Sequence, residues 1–493
     1  MTKFLFTLFF ISTISTVQAQ TAPAVQWQNA IGGKNMGFVH YMTPTKDSGY
    51  IAVGYADSVR GKNIPNYHGL IDVWVAKLDS RCNIIWQKCY GGSGAEFGYT
   101  IEQTTDGGYI VAGETGSNNG DVSGNHGQAA QGDDIWVFKI DSIGNLKWQK
   151  CYGGSDEESV NAIHCTPDGG YIVAGYTRSN DGDVTGFHQK GISLDFDGWV
   201  IKLDSIGKLQ WQKCLGGSSE ERLYEVLPIN GGNYIVTGNA SSFDGDVKGV
   251  HLSANGWSDA WVIELDSIGN IVWQKCYGGS SSDFGYKMTK IIDGFIIGGE
   301  TSSNDGDVNN NHGKSDIWII KIDSIGNLIW QKGYGGSNSE TLGAIIQTKN
   351  KGFVISGQTQ SNDSDVSGFH GIYDYWVLKV DSIGNLLWQK CIGGSSSDQA
   401  YTLNETYDGG LIVGGISDTP VGDGDVTIHY LINNAYTDNW WIVKLAPELL
   451  PVRILRFKAA PLPPEGGMKG NALLNWVTTD EVNVNHFNIQ RSV

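Results

Sequence analysis

The chain of 493 residues is short of positive charge, with 34 Lys and Arg against 52 Asp and Glu and a formal net charge of -18. Nucleic acids and anionic lipid surfaces attract basic proteins, so this balance argues against both as partners. Beyond the N-terminus there is also no apolar run long enough to cross a membrane as a helix. These absences indicate a soluble protein whose acidic surface is suited to cations.

The common catalytic motifs are absent too. The sequence has no G-x-S-x-G, no H-E-x-x-H, no C-x-x-C and no P-loop. A glycosidase needs two carboxylates that face each other across a bond. The acidic pairs Glu157-Glu158 and Glu220-Glu221 are adjacent in sequence, so their side chains would diverge on an extended strand. The sequence therefore favours a non-catalytic protein, and a polysaccharide-acting enzyme is the alternative.

The seven cysteines do not read as a disulfide framework. Five of them follow W-Q-K at one repeated position, namely Cys89, Cys151, Cys214, Cys276 and Cys391. Equivalent residues in neighbouring repeats should lie beyond the roughly 7 Å between Cα atoms that a disulfide can bridge. The same position holds Ala30 in one copy and Gly333 in another. We expect small buried residues there, and the pattern gives no role to Cys82 or Cys165.

A unit of 57 to 63 residues is present instead, written seven times. Its first marker, W-Q, begins at Trp27, Trp86, Trp148, Trp211, Trp273, Trp330 and Trp388. Its second marker, (D/N)-x-W, ends at Trp74, Trp136, Trp199, Trp261, Trp318, Trp376 and Trp441. Each unit has room for four short strands, and seven such units close into a ring. The sequence therefore predicts an all-β fold, a seven-bladed β-propeller over residues 25–446.

One copy shows how a blade should be built. Strands are predicted at residues 170–175, 198–203, 209–214 and 222–229, and the last of them is assigned to the same blade as the other three. Antiparallel order places the D-S-I-G-N and D-G-G turns on one face, and the long loop and the G-G-S loop on the other. The chain enters at a third-strand motif and leaves at a second-strand motif, so we expect the last blade to take two strands from each end.

The long loop carries the motif S-N-D-G-D-V-x-G-x-H in most copies. Its paired aspartates are Asp181 and Asp183, Asp244 and Asp246, Asp305 and Asp307, Asp363 and Asp365, and Asp423 and Asp425. Alternating carboxylates with glycine between them are ligands that calcium loops use. The same residues also form Asx turns that stiffen a loop without metal. Both interpretations stay open, and calcium is the one cofactor that the sequence suggests.

A histidine closes this loop in every copy, and an Asp or Asn of the second tryptophan motif follows it. Because the pair is repeated, we expect a structural hydrogen bond from loop to strand. The repeated tryptophans should pack between blades. Trp257 and Trp440 fall outside the repeated positions and near the loop face, so they are the candidate ligand-binding residues.

The repeated segments G-Y-I-V-A-G, D-x-W-V-x-K-L-D, G-N-L-x-W-Q-K and G-G-S resemble the propeller repeats of exported Bacteroidetes proteins. Residues 1–19 have the charge, apolar stretch and small-residue pattern of a signal peptide cleaved near Ala19. Residues 447–493 resemble the opening of the fibronectin-like module in type IX secretion cargo, and we expect that β-sandwich to be incomplete at Val493. The resemblance implies a secreted or cell-surface scaffold that binds an extracellular protein or glycan, with a lectin as the alternative.

Overall fold

The computed structural model describes residues 21–31, 37–57, 63–127, 133–188, 195–251, 258–349, 351–428, 431–432, 435–436, 439–448, 453–461 and 472–479. The predicted signal peptide and Trp257 lie outside these ranges. Within them the regular structure is β-strand, apart from short 3-10 segments such as the turn at Asn230–Gly232. None of the helical structure described there is long and apolar enough to span a membrane.

Seven four-stranded antiparallel sheets form the blades. The chain enters with β1 (Val25–Ile31), which belongs to the last blade. Blade 1 contains β2 (Phe38–Pro44), β3 (Tyr50–Asp57), β4 (Ile71–Leu78) and β5 (Ile84–Tyr90). Blade 2 contains β6 (Glu96–Gln103), β7 (Tyr109–Thr115), β8 (Asp134–Ile140) and β9 (Leu146–Tyr152). Blade 3 contains β10 (Glu158–Cys165), β11 (Tyr171–Thr177), β12 (Asp197–Leu203) and β13 (Leu209–Leu215).

The remaining blades repeat this order. Blade 4 contains β14 (Glu221–Pro228), β15 (Tyr234–Ala240), β16 (Asp259–Leu265) and β17 (Ile271–Tyr277). Blade 5 contains β18 (Asp283–Ile291), β19 (Gly294–Thr301), β20 (Asp316–Asp323) and β21 (Leu328–Tyr334). Blade 6 contains β22 (Glu340–Gln347), β23 (Phe353–Thr359), β24 (Asp374–Val380) and β25 (Leu386–Ile392). Blade 7 contains β26 (Asp398–Glu405), β27 (Leu411–Ser417), β30 (Asn439–Leu445) and β1, with the short pair β28 (Leu431–Ile432) and β29 (Ala435–Tyr436) before β30.

The first strands of the blades contact one another in a closed cycle, from β2 through β6, β10, β14, β18 and β22 to β26 and back to β2. The predicted fold class is therefore confirmed: the protein is a seven-bladed β-propeller. We call the space that these seven first strands enclose the channel. After the ring, β31 (Arg453–Pro461) and β32 (Ala472–Thr479) pair as an antiparallel hairpin. The fibronectin-like module stays a prediction.

The predicted boundary between blades was wrong by one strand. Residues 221–228 do not complete blade 3 but pair with Tyr234–Ala240 as the first strand of blade 4. Ile229 N–H donates to Asn233 O at 2.8 Å, so the glycine-rich segment there is a hairpin turn inside one blade. The G-G-S loop is the connection that crosses between blades. Sequence alone could not distinguish the two, since both are short and rich in glycine.

The ring is closed by three strands from one end and one from the other, not by two from each. In blade 7, β30 pairs with β27 on one side and with β1 on the other. Trp441 of β30 lies opposite Ala30 of β1. This second error follows from the misplaced blade boundary. Moving the boundary by one strand gives blade 7 one strand fewer from the N-terminal end and one strand more from the C-terminal end.

Both tryptophan motifs have a packing explanation. Trp199 is buried, and its indole N–H donates to Gln212 Oε1 at 2.8 Å, so D-x-W and W-Q join two strands of one blade. The W-Q tryptophans pack under a turn instead. Trp148 of blade 2 lies under Gly207 in the D-S-I-G turn of blade 3. A Cβ at Gly207, whose φ is +77°, would approach the Trp148 ring to 2.6 Å. A side chain at Gly207 would therefore clash with the indole, and the positive φ also favours glycine.

The cysteines are all free. Those that follow W-Q-K lie in the packed interior; Cys276 is slightly more exposed than the others. Cys82 replaces the turn glycine in blade 1, with φ +61°, and its side chain is buried. Cys165 ends β10, where its backbone N–H donates to Glu102 Oε2 at 3.0 Å. The prediction of buried thiols instead of disulfides is confirmed.

Candidate functional site

The long loops fold back over the G-G-S loops on one face of the ring, as the antiparallel order predicted. Ser155 N–H donates to Asp181 Oδ1 at 2.7 Å, and Asp183 N–H donates to Gly153 O at 2.9 Å. Gly182, with φ +61°, allows the tight turn between the two aspartates. The first aspartates Asp244, Asp305 and Asp363 accept a serine N–H in the same way, and Asp423 accepts from the Ser395 hydroxyl.

In blade 2 the first position of this turn is Asn119, and its Oδ1 accepts Ser93 N–H at 2.8 Å. A neutral amide therefore performs the same structural task as the aspartates. Within the described ranges no three His, Cys, Asp or Glu side chains converge as a metal site. The second aspartates of the turns, Asp183, Asp246, Asp307, Asp365 and Asp425, each donate their backbone N–H to a glycine carbonyl of the G-G-S loop. Calcium binding by these loops stays a prediction.

The histidine that closes the loop forms the expected structural contact. His188 Nδ1 lies 2.7 Å from Asp197 Oδ2, and its backbone N–H donates to the same oxygen at 2.9 Å. The outer nitrogen, Nε2, lies 3.5 Å from Asp246 of the next blade. Equivalent contacts to the buried aspartate are made by His68, His126, His251, His312 and His370. The histidine thus links its loop to a strand and approaches the neighbouring blade; His429 is outside the described residues.

Trp440, one of the two predicted ligand-binding residues, is not on the loop surface. Its side chain is only 1% exposed and belongs to the core shared by blades 7 and 1. The ring lies 6.0 Å from Tyr401, whose side chain is on the first strand of blade 7. The sequence placed Trp440 near the loops because it precedes the repeated Trp441, but on a strand the two neighbours point to opposite sides of the sheet and both are buried.

The channel strands depart from exact repetition. Every first strand has a bulge at the same position, and the extra residue is tyrosine in four copies and a different residue in each of the other three. These residues are His40, Tyr99, Asn161, Tyr224, Tyr286, Gly343 and Tyr401. By contrast, the tryptophan of the D-x-W motif is the same in all seven copies. Bulges commonly redirect side chains next to functional sites, so the channel is the candidate functional site.

Five of these bulge residues are aromatic rings, which we call the collar: His40, Tyr99, Tyr224, Tyr286 and Tyr401. His40 and Tyr99, from adjacent blades, stack with ring centres 5.1 Å apart and an interplanar angle of 1°. Tyr224 and Tyr286, also from adjacent blades, meet edge to face at 5.0 Å. Four of them are partly buried and Tyr401 is exposed. Tyr99 and Tyr401 line the cavities described below, so the channel wall carries aromatic surface that the protein leaves partly uncovered.

Two carboxyl groups stand behind the collar at equivalent positions on the second strands of blades 2 and 5. Glu114 accepts hydrogen bonds from the Tyr99 hydroxyl at 3.2 Å and from the Ser159 hydroxyl. Glu300 Oε1 has no hydrogen-bond partner within the described ranges. Burial raises the pKa of both Glu114 and Glu300 to about 7. Near neutral pH each can therefore donate or accept a hydrogen bond.

Further along the channel, four charged side chains from consecutive blades form a row: Glu102, His164, Glu225 and Lys287. His164 Nδ1 lies 3.1 Å from Glu102 Oε2, and its Nε2 lies 3.0 Å from Glu225 Oε1. Lys287 Nζ is 3.8 Å from Glu225 Oε2. Burial disfavours a charged imidazole, yet the hydrogen bonds to the two glutamates raise the pKa of His164 to about 10. Burial likewise opposes ionisation of Glu225, but Lys287 and His164 hold the pKa of this glutamate below its ordinary value.

This ionic row lies beside two cavities inside the ring. One of about 280 Å³ is lined from blades 1 to 5, and the other of about 180 Å³ is lined from blades 1 and 3 to 7. Both cavities are lined by Tyr41, His164, Glu225 and Lys287. The row therefore stands where two parts of one channel meet.

Sequence reasoning missed this site. His40 and His164 stood outside the repeated motifs and had no visible partners, so they carried no interpretation. A position-by-position comparison of the seven copies would have found the signal, because the strand positions that vary in charge and aromaticity are the ones that line the channel.

No family model and no curated protein sequence matches the chain. Solved structures with a similar fold include Sqt1 from Chaetomium thermophilum, at 10% identity and TM-score 0.42 over 84% of this chain and 97% of that one. Drosophila Plexin A in complex with Semaphorin 1b has 7% identity and TM-score 0.43 over 87% and 88%. A luciferin-regenerating enzyme has 9% identity and TM-score 0.32 over 71% and 91%. Similarity at this level is similarity of fold alone, so the function has to be argued from this chain's own residues.

Proposed function

We propose that this chain is an exported, non-catalytic binding or scaffold propeller whose ligand enters the channel from the long-loop face. The observation that carries the proposal is the distribution of variation among the seven copies. The residues that hold the ring, such as Trp199, Gln212 and His188, recur from blade to blade, whereas the bulge of the channel strand holds tyrosine in four copies and His, Asn or Gly in the other three. A symmetric scaffold needs its copies to be alike, and one asymmetric ligand needs them to differ where it binds.

The state of His164 argues against acid–base catalysis by this residue. Each imidazole nitrogen is engaged by a carboxylate, at 3.1 and 3.0 Å. With its pKa raised to about 10, the imidazole stays protonated at neutral pH and cannot serve as a general base. This histidine therefore orders the channel wall. A polysaccharide-acting enzyme remains the alternative, and a direct assay for turnover distinguishes the two.

The location and the metal belong to the same proposal. The N-terminal pattern that ends near Ala19 supports export, and the resemblance of the repeats supports a secreted or cell-surface protein that meets an extracellular protein or glycan. Calcium on the long-loop face is supported by the D-G-D spacing and by the acidic net charge of -18. Bound calcium would stiffen the loops that surround the entrance to the channel.

The test compares a collar variant with a surface variant. Purified full-length protein is passed over immobilised neutral and acidic polysaccharides and over extracellular matrix proteins, and each solution is assayed for new reducing ends. We expect retention on at least one support, lost in Tyr224→Ala/Tyr286→Ala and kept in Tyr407→Ala, whose side chain is 93% exposed. Retention that survives the collar substitutions would contradict a channel site, and released reducing ends would contradict a non-catalytic role.

A further inference from the structure

We propose that the channel binds the end of a neutral saccharide, with a sugar ring against the collar and its hydroxyl groups on the ionic row. This inference rests on the proposed binding function and adds the class of ligand. It draws on the uncovered aromatic rings, the unused hydrogen-bonding groups, the balance of charge and the size of the cavities.

The collar offers flat apolar surface at the right place. Tyr286 is in contact with rings from its own strand and from the preceding blade, since Phe284 stacks on it at 5.5 Å and Tyr224 meets its edge at 5.0 Å. These neighbours fix the orientation of Tyr286, and the ring nevertheless stays partly exposed. A fixed aromatic ring gives contact area at small entropic cost, and its hydroxyl gives a polar end. The C–H face of a sugar ring matches this surface.

The ionic row has donors and acceptors that the protein does not use. Lys287 Nζ lies 3.8 Å from Glu225, which is too long for a hydrogen bond, and no other acceptor reaches it within the described residues. Glu102 accepts from the His164 ring and from Cys165 N–H, and both bonds end on Oε2. Neither of these two bonds uses its Oε1, and the side chain is partly exposed. A sugar hydroxyl both donates and accepts, so adjacent hydroxyls can use an ammonium donor and a carboxylate acceptor together.

The charges of the row favour a neutral ligand. Two carboxylates, Glu102 and Glu225, are balanced by the His164 imidazolium and the Lys287 ammonium. A ligand with a net charge would bring an uncompensated charge into a partly buried site, which is unfavourable unless a partner neutralises it. A polyol carries no net charge and still satisfies polar groups.

The cavities have the size for a small saccharide end. Their volumes are about 280 and about 180 Å³, and Tyr41, His164, Glu225 and Lys287 line both. Together they reach the lower part of the range of about 300–1,000 Å³ that small-molecule pockets occupy. One or two sugar units fit this space, while the rest of a longer glycan would extend toward the loops.

Saturation-transfer NMR on the full chain tests the inference, with glucose, galactose, mannose, maltose and cellobiose as neutral probes. Glucuronic acid and glucosamine are the charged comparators. Two variants probe the site, Tyr286→Ala in the collar and Lys287→Met in the row. Two matched controls change the same residue types elsewhere: Tyr407→Ala on an exposed turn, and Lys290→Met, an exposed residue of the same strand that contacts Asn230.

We expect saturation transfer to the ring protons of at least one neutral probe, with a dissociation constant raised about tenfold or more in Tyr286→Ala and Lys287→Met. A tenfold change corresponds to about 1.4 kcal/mol. The controls should bind within about twofold of the unmodified protein, a difference of about 0.4 kcal/mol. The inference is overturned if no neutral probe binds, if only a charged comparator binds, or if Tyr407→Ala weakens binding as much as Tyr286→Ala. If no saccharide binds but the collar variant loses a protein ligand, the binding function stands and only the ligand class is wrong.

Discussion

His188 and Asp197 fasten the long loop of blade 3 to the strand that follows it. The imidazole Nδ1 and the backbone N–H of His188 both reach Asp197 Oδ2, at 2.7 and 2.9 Å, and Asp197 is fully buried. A buried carboxylate needs such partners, because removing it from water is costly. The contact recurs in five other described blades, so each loop near the channel entrance is held by the same pair.

Removing this histidine should loosen one loop and lower the stability of the ring. We expect His188→Ala to reduce the free energy of unfolding by about 1–3 kcal/mol, because Asp197 loses its side-chain partner while it stays buried. The measurement is the urea midpoint with an unchanged slope. Ser205→Ala, an exposed change in a turn of the same blade, should stay within about 0.5 kcal/mol. Equal midpoints for the two variants would mean that the contact does not stabilise the loop.

The buried carboxyls should make the protein more stable in mild acid than in mild base. Burial raises the pKa of Glu158 and Glu221 to about 7, and that of Asp316 and Asp374 to about 6. A folded-state pKa above the unfolded value gives stability that is complete below about pH 4 and is lost as pH rises through 6 to 7. Since each pKa unit is worth about 1.4 kcal/mol, we expect the free energy of unfolding to fall by several kcal/mol from pH 5 to pH 8.

Exposed carboxylates set the acid limit of this range. The Thr104 hydroxyl and the Lys139 ammonium lower the pKa of Asp106 to about 2, so its contribution is lost as pH falls from about 4 toward 2. Denaturant titrations at constant ionic strength from pH 3 to 8 should therefore show a maximum near pH 4–5. The variant Glu158→Gln should have a shallower decline above that maximum. A flat profile between pH 5 and 8 would contradict the raised pKa values.

The sequence predicted what repetition controls. Trp199 and its six counterparts predicted the number of blades, and the repeated histidine predicted the contact with Asp197. Both predictions were possible because a contact that every blade requires is made by the same residue type in each copy. The channel leaves no such mark. His164 meets Glu102 and Glu225 from positions about sixty residues away in either direction, and only the packing of neighbouring blades brings the three together. The blade boundary was misread for a related reason, since a hairpin turn and a crossing between blades both need only a few flexible residues.

The ionic row should depend on His164 far more than a surface ion pair depends on its partner. In His164→Leu two carboxylates would face each other without the cation between them. Breaking a fully buried pair costs about 3–5 kcal/mol, and we expect a smaller loss here because His164 and Glu102 are about one-third exposed. Replacing Glu102 and Glu225 with glutamine in the same variant should recover much of the loss. Urea unfolding of the single, double and triple variants measures the coupling. If the triple variant is no more stable than His164→Leu, the loss comes from packing and not from charge.

Calcium should stabilise the long loops, and asparagine substitution should separate its effect from that of the turns. In blade 2 Asn119 already accepts the serine N–H, so Asp181→Asn should melt like the unmodified protein in excess chelator. One site filled at a hundred times its dissociation constant adds about 2.7 kcal/mol. We expect millimolar calcium to raise the melting temperature of the unmodified protein more than that of the variant. Identical melts with and without calcium would leave these aspartates as turn formers alone.

The single N-terminal strand should be needed by the whole ring. β1 supplies the outer edge of blade 7, where it pairs with β30 along Val25 to Ile31, and Gln28 contacts both Trp441 and the Thr427 hydroxyl. Without β1 the edge of β30 is left unpaired, and the indole of Trp441 loses its side-chain acceptor.

Deletion of residues 20–46 removes β1 from blade 7 and β2 from blade 1, so two neighbouring blades each lose one strand. We expect the remaining chain to melt at a much lower temperature and over a broader range, because the cycle of contacts between first strands is interrupted at β2. A chain that begins at Gln20 is the matched control, since it keeps every described strand. A sharp melt of the deleted chain at the control's temperature would show that the blades are stable as an open array. Closure by β1 would then serve to shape the channel and would not be required to hold the ring together.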